Sequence, residues 1–245
     1  MADNSYRAKD IQILEGLEPV RKRPAMYVGS TDIQGLHHLI TEIVDNSIDE
    51  ALAGFAKNCW IVLRNDNKIT VADDGRGIPT DLHPQAKKSS LEVAMTYLHA
   101  GAKFEKGVYK ISGGLHGVGA SAVNALSDWM RVEVRRDGKT WTQEYKRGKP
   151  ITKVEEQKEK TIKTDGFSWP AQTGTKSTFL PDRSIFSTIQ PNFETLKKQV
   201  KERAYLVAGL FFHLHDENLQ EEAHYYFDGG IKSLVAHLNK NKNVV

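Results

Sequence analysis

The 245-residue chain has one cysteine, Cys59. A single thiol excludes an internal disulfide and any zinc site built from several cysteines. It lies in the apolar run CWIVL, where a small core residue is expected. Long hydrophobic stretches are also missing. No run reaches the roughly 20 apolar residues that cross a bilayer. The start, MADNSYRAKD, carries no apolar signal segment. An excess of one charge is missing too: 34 basic and 31 acidic residues leave a net charge of +3. That is too mild to argue direct nucleic-acid binding from composition, and no basic stripe with interleaved aromatics is visible. Repeats and low-complexity tracts are absent. The remainder, 39% hydrophobic and 27% charged, suits a globular cytoplasmic enzyme or binding module with no membrane partner.

One further absence falls inside the most informative stretch, ISGGLHGVGASAVNAL, residues 111–126. Gly113, Gly114, Gly117 and Gly119 precede a helix-like apolar run. Glycines let a backbone approach a ligand closely, and a helix start offers unpaired N–H groups, so the pair favours an anion. The plainer alternative is a tight turn before a core helix. A P-loop needs G-x-x-x-x-G-K-[ST]. Gly114 to Gly119 has the spacing and Ser121 follows, but Ala120 stands where the lysine belongs, so that motif is rejected. The dinucleotide fingerprint fits Gly117, Gly119 and Ala122, yet it needs a preceding strand and an acidic residue about 20 positions on. The preceding KFEKGVYKIS is polar, and Asp137 lies in an Asp-Gly turn. A nicotinamide oxidoreductase stays as a rival.

Periodicity outlines the rest. Residues 35–55 have helical spacing through Leu36, Leu39, Ile40, Ile43, Val44, Ala51 and Leu52. CWIVL (59–63) and KITVA (68–72) read as a hairpin across a polar turn. MRVEVRR and KTWTQEY form a second hairpin around Asp137-Gly138. Residues 74–118 read as a long loop with a short helix near 90–100, residues 119–127 as a helix, and 152–172 as a charged surface excursion. KSTFL (176–180), FFHLHD and AHYYF are strands; 192–210 is an amphipathic helix, and a last helix opens after Gly229-Gly230. Hairpins mixed with helices point to an α/β sandwich with a mixed or antiparallel sheet.

Three polar groups could do chemistry. Glu42 and Asn46 lie one turn apart on the face opposite the apolar stripe. Together with Asp45, Asp49 and Glu50 they could be a solvated helix face. They could instead be a carboxylate that deprotonates water beside an amide oxygen suited to Mg²⁺. Asp73 shares the inward strand face with Ile69 and Val71. A buried carboxylate needs a donor, and an adenine amino group is one, though a turn-capping role before Gly75 also fits. Gly75 and Gly77 let the backbone turn beneath a flat ligand, and Gln172-Thr173-Gly174-Thr175 is a third small polar turn.

These signals occur in one order: Glu42…Asn46, Asp73-x-Gly-x-Gly77, then Gly113-Gly114-x-x-Gly117-x-Gly119. The order resembles the ATPase superfamily of gyrases, heat-shock chaperones, mismatch-repair clamps and sensor histidine kinases. GLEPVRKRPAMYVGS (16–30), VDNSIDEALAG (44–54), DDGRGIP (73–79) and SGGLHGVGASAVNALS (112–127) narrow it. They are similar to B-type subunits of bacterial type II topoisomerases, with the gyrase branch slightly preferred and the topoisomerase IV branch the alternative. The resemblance runs from Tyr6 to about Asn241.

That resemblance implies an α+β fold. It is a two-layer sandwich in which a mixed, mostly antiparallel sheet is covered by helices on one face. It implies an arm over 1–16, an ATP-binding domain over 17–230, and a helix over 231–245 leading toward a transducer domain. Glu42 becomes the general base and Asn46 the Mg²⁺ ligand. Asp73 takes the adenine amino group, with Thr175, Gly77, Ile78 and Val71 around the base. Gly114, Leu115, His116, Gly117, Val118 and Gly119 cradle the phosphates, and Lys103 and Tyr109 close from a lid. Arg76, Pro79 and Arg136 rim the pocket where aminocoumarin-type inhibitors compete. Tyr6 reaches the partner protomer when ATP closes a homodimeric gate on DNA. The implied partners are DNA, the DNA-cleaving A-type subunit and a second copy of the B-type one. Ala25 and Ala102 replace the usual glycines, and the second leaves lid closure open. Weak or no turnover is expected of this chain alone, because the transducer lysine is not in it. A clamp or chaperone ATPase of the same superfamily is the more distant alternative.

Overall fold

In a computed structural model, which describes residues 14–98, 119–157 and 167–239, the first long element is a helix. Two short helices, α1 (Glu18–Lys22) and α2 (Ala25–Val28), lead into α3 (Ile33–Leu52). Asp32 starts α3: its side chain accepts from the backbone N–H of Gln34 at 2.8 Å, meeting one of the donors a helix start leaves unpaired. Leu36, Leu39, Ile40, Ile43, Val44 and Ile48 then recur at helical spacing and are all buried.

The stripe lies on a sheet. β1 (Asn58–Leu63) and β2 (Ile69–Asp73) form a hairpin, followed by α4 (Ser90–Thr96) and α5 (Gly119–Ala125). β3 (Ser127–Arg136) and β4 (Lys139–Lys146) form the second hairpin, with β5 (Lys149–Pro150) and β6 (Glu155–Gln157) along the outer edge of β4. β7 (Gly174–Pro181), α6 (Phe193–Leu206), β8 (Phe211–Asp216), β9 (Glu221–Tyr225) and α7 (Ile231–Asn239) complete the order. The nine strands make one sheet, β5-β4-β3-β7-β2-β1-β8-β9, with β6 beside β4. Among the described residues only β1 and β8 pair in parallel; every other pairing is antiparallel. A doubly wound nucleotide fold needs a mostly parallel sheet, so the oxidoreductase rival fails on topology.

Alternation along the strands sorts the two faces. Ile69 and Val71 of β2, Met130, Val132 and Val134 of β3, and Phe179 of β7 join the α3 stripe and Leu196 and Val200 of α6 in the main core. The opposite face carries a small cluster of Ala72, Trp169 and Ala171 with Trp60 and Phe167. This corrects the expectation that residues 152–172 are only a surface excursion. Residues 155–157 pair with β4, and Trp169 is buried where the Arg135 guanidinium lies over its ring at 4.3 Å. The Arg21-Lys22-Arg23 run is no simple solvated patch either. Arg21 donates to Asp182 Oδ2 at 2.7 Å and to the Ala125 carbonyl at 2.6 Å, tying α1 to the end of α5 and to the segment just after β7.

Phe179 is fully buried on a strand flanked by β2 and β3. Phe179→Ala is expected to cost about 3–5 kcal/mol of unfolding free energy through lost burial and the cavity left behind. Urea denaturation measures it, and a loss below about 1 kcal/mol would mean the sheet centre is not the core described.

Candidate functional site

The end of β2 is where the chain brings its unusual polar groups together. Asp73 is its last residue, on the helix-facing side, and almost fully buried. Its Oδ2 accepts from the Ser47 hydroxyl of α3 at 3.0 Å. Its Oδ1 accepts from the N–H groups of Gly75 at 3.0 Å and Thr175 at 3.3 Å. All these partners are neutral. Burial pushes the Asp73 carboxyl up from 3.8 to about 6, against the lowering effect of those three bonds, and the Glu50 carboxylate adds to the rise. A carboxylate has about four acceptor positions. Three are used by described residues, so Oδ2 keeps one for a further donor.

Glycines allow this packing. A Cβ on Gly174 would stand 2.1 Å from the Asp73 carbonyl oxygen, and its φ of +131° is glycine territory. Gly77, at φ +76°, would place a Cβ 2.9 Å from the Arg135 carbonyl. β2, β7 and the 74–79 turn therefore meet backbone to backbone. Ile78 N–H donates to Thr175 Oγ1 at 3.2 Å, and Val71 and Val134 supply apolar floor.

Two arginines border the 74–79 turn. Arg76 is held by Glu50 in a two-pronged bridge, Nε to Oε2 at 3.0 Å and Nη2 to Oε1 at 2.8 Å. Its guanidinium also lies over the Phe55 ring at 3.9 Å. Arg136 donates from Nη1 to the Gly77 carbonyl at 3.0 Å. Pro79 follows in the same turn.

On α3, Glu42 is half-buried. His38 Nε2 lies 2.9 Å from its Oε1. Its other oxygen faces the start of α5, where a Cβ on Gly119 would stand 2.2 Å away. The Glu42 carboxylate thus occupies the space beside Gly119 where a side chain would begin. Asn46 follows one turn later, also half-buried. The imidazole of His38 is held above its ordinary range, chiefly by the bond to Glu42. The neighbouring His37 does structural work, its Nε2 accepting from the N–H of Asn192 at the cap of α6 at 2.9 Å.

Of the site residues expected from sequence, Glu42, Asn46, Asp73, Arg76, Gly77, Ile78, Pro79, Gly119, Arg136 and Thr175 fall on these converging elements. Tyr6, Lys103, Tyr109, Gly114, Leu115, His116, Gly117 and Val118 lie outside the described residues. The solvated-face alternative for α3 fails at Asp49, which is buried, and at Glu50, which clamps Arg76. Sequence reasoning misses His38 and Ser47. The i,i+4 spacing of His38 to Glu42 is the signal that could find the first; Ser47 reads only as part of the apolar stripe. Cys59 is fully buried and its thiol is pushed up by that burial, so it is no nucleophile. Among the described residues no cluster of three or more His, Cys, Asp or Glu side chains could hold a metal, and no helix is long and apolar enough to cross a membrane.

Comparison with known proteins places this geometry. Residues 31–179 match the family model "Histidine kinase-, DNA gyrase B-, and HSP90-like ATPase". The chain is 50% identical over 239 residues to the B subunit of DNA gyrase from Borreliella burgdorferi, covering 97% of this chain and 36% of that one. It is 49% identical over 241 residues to the B subunit of DNA topoisomerase 4 from Bacillus subtilis, covering 98% and 35%. It therefore spans about a third of the length of these curated relatives. A crystal structure of the 43K ATPase domain of Thermus thermophilus gyrase B in complex with an aminocoumarin aligns with TM-score 0.78 and 38% identity, covering 94% of this chain and 56% of that one.

The Asp73 environment has a pH signature. Its carboxyl protonates more readily folded than unfolded, so the folded state binds the extra proton between about 4 and about 6. Stability of the ligand-free protein should therefore fall as pH rises through that window, by about 2–3 kcal/mol. Asn can keep all three bonds, because its oxygen accepts from both N–H groups and its amide donates to Ser47. Asp73→Asn should gain stability relative to the parent between pH 4 and pH 8, read by urea unfolding at both. A constant difference would refute the buried, neutrally partnered carboxylate.

Proposed function

From the premise that this chain belongs to the histidine kinase-, DNA gyrase B- and HSP90-like ATPase family, we propose that it binds and hydrolyses ATP as the nucleotide-driven part of a type II DNA topoisomerase B subunit. The single observation that carries the reading is Asp73, a buried carboxylate with neutral partners and one acceptor position left, at the floor of a glycine-walled turn. An adenine amino group is the donor it lacks. A guanine carbonyl at the same point would face the carboxylate with no proton between them.

The remaining roles, that of His38 apart, are those that the family resemblance implies. Asp73 and Thr175 take the polar edge of the base, a bridging water completes that edge, and Gly77, Ile78 and Val71 lie against its faces. On that reading the backbone N–H groups of residues 114–119 would donate to the phosphates, replacing the lysine of a P-loop. Lys103 and Tyr109 close over them. Glu42 takes the proton of the attacking water, and His38 orients it from the other carboxylate oxygen. Asn46 offers an amide oxygen of the kind a hard cation accepts. Bound Mg²⁺ there supplies neutralisation of the phosphate charge. Arg76, Pro79 and Arg136 form the rim, where an aminocoumarin of the kind bound by the Thermus thermophilus domain competes with ATP.

At the level of the whole protein, ATP draws two copies of the B-type protein together through the arm around Tyr6 and closes a gate on DNA held with the DNA-cleaving A-type subunit, in the cytoplasm. Differential binding of ATP to the closed state drives the closure. Gyrase is the preferred branch. Topoisomerase IV is the second reading, supported by a relative of that kind at 49% identity.

Calorimetric titration with a non-hydrolysable ATP analogue and Mg²⁺, with GTP and NAD as controls, should give adenine-selective binding at about one site per chain. Asp73→Asn should weaken it by at least about 2 kcal/mol. Equal affinity for GTP, or an unchanged Asp73→Asn, removes the adenine assignment. Glu42→Ala should abolish hydrolysis and keep nucleotide affinity within about threefold, because the base acts on water in the transition state and barely on the ground state. A large loss of affinity in that variant would remove Glu42 from the role.

A further inference from the structure

Side chains of the second long helix, α6, lie beside those of α3, and a charged contact joins the two helices. Arg203, in the last turn of α6, reaches Asp45 of α3, Nε to Oδ1 at 3.2 Å. The same guanidinium donates from Nη1 to the Gln199 carbonyl at 3.3 Å, which fixes it against its own helix. Both side chains are mostly covered, 26% and 20% exposed. Asp45 follows Glu42 by three residues, so the two share a helix face. His38 bonds Glu42 from the preceding turn. A continuous line of charges therefore runs Arg203, Asp45, Glu42, His38.

We propose that Arg203 is a positioning residue for the His38–Glu42 pair, acting through Asp45 and setting how readily His38 carries a proton. The inference rests on Glu42 being the base.

The charged groups that act on His38 among the described residues are Glu42 and Asp45 of α3, which favour its protonated form, and Arg203 of α6, which opposes it. Burial opposes it too. A positive imidazolium beside a carboxylate makes that carboxylate a weaker proton acceptor. Hydrolysis should therefore rise with pH as His38 loses its proton, and the position of that acid limb should depend on the Asp45–Arg203 pair. Arg203 offsets the Asp45 charge and so limits the upward shift that the bond to Glu42 gives His38. A purely structural bridge between two helices would give no such link.

The two ends of the bridge carry opposite charge, so their removal should act in opposite directions. In Arg203→Ala the His38 titration, followed by NMR of imidazole-labelled chain, should move up. In Asp45→Asn it should move down. The ratio of single-turnover ATP hydrolysis rates at pH 8 and pH 6 should rise by at least about twofold in the first variant and fall by at least about twofold in the second, the scale of one charge at this range. Arg203→Lys, which keeps the charge, should return the parent profile, and affinity for the ATP analogue should stay within about twofold in all three. Both variants shifting the same way, or a His38 titration or rate profile that does not move, overturns the inference. Glu42→Ala run alongside separates the two ideas. If it still hydrolyses ATP, the base assignment has failed; if it is inactive and the profiles do not move, only the role of Arg203 has failed.

Discussion

The site depends on one buried carboxylate being held without a cation. Asp73 lies between α3 and the sheet, fastened by a hydroxyl and two backbone N–H groups. A salt bridge there would satisfy it and leave nothing for a ligand to do. Neutral donors hold the group in place while burial keeps it in want of a further proton donor. The proposed selectivity for an amino-bearing base rests on that imbalance. So does a standing cost to the empty protein, of the kind binding sites commonly carry.

Much of the surrounding sequence can be understood as what keeps that carboxylate in place. Ser47 interrupts an otherwise apolar helix stripe because its hydroxyl must meet Asp73. Gly174 is needed because β7 passes directly over the Asp73 carbonyl. Glu50 would stand as one more acidic residue near the pocket, but it is engaged by Arg76, whose guanidinium also rests on Phe55. Glu42 reaches into the space beside Gly119, which carries no side chain. Each residue looks ordinary alone, and each is explained by a neighbour far away in sequence.

That distance explains what sequence reasoning could and could not reach. The α3 stripe, both hairpins and α6 were legible because local periodicity encodes them. So were Asp73 and its flanking glycines, since a carboxylate on an inward strand face breaks a pattern. β5 and β6 were not legible: two and three residues long, they exist only because β4 offers an edge. The burial of Trp169 was hidden because it depends on Arg135, which lies 34 residues earlier, on β3. Arg21 was hidden for the same reason, its carboxylate partner lying 161 residues away. His38 is different. Its spacing to Glu42 was in plain sight, but a lone histidine on a helix has too many ordinary explanations to stand out.

The charged groups divide according to whether they are cancelled. Arg76 is paired with Glu50, Arg203 with Asp45, and Arg136 with a backbone carbonyl. The partners of Asp73 among the described residues are all neutral. The pairs at the mouth and along α3 fix geometry, since a clamped guanidinium or a histidine-bonded carboxylate has few rotamers left. Asp73, buried with neutral partners at the end of β2, is where recognition is proposed to reside. The same helix supports both, with the Glu42 flank toward α5 and the Ser47 flank toward the sheet. Rotation of α3 by a single residue, roughly 100°, would turn Glu42 away from α5 and take the Ser47 hydroxyl away from Asp73 together. The buried stripe of Leu36, Leu39, Ile40, Ile43 and Val44 is what forbids that rotation. Apolar packing therefore sets the angle at which the two polar functions are presented, and the chemistry inherits its precision from the core.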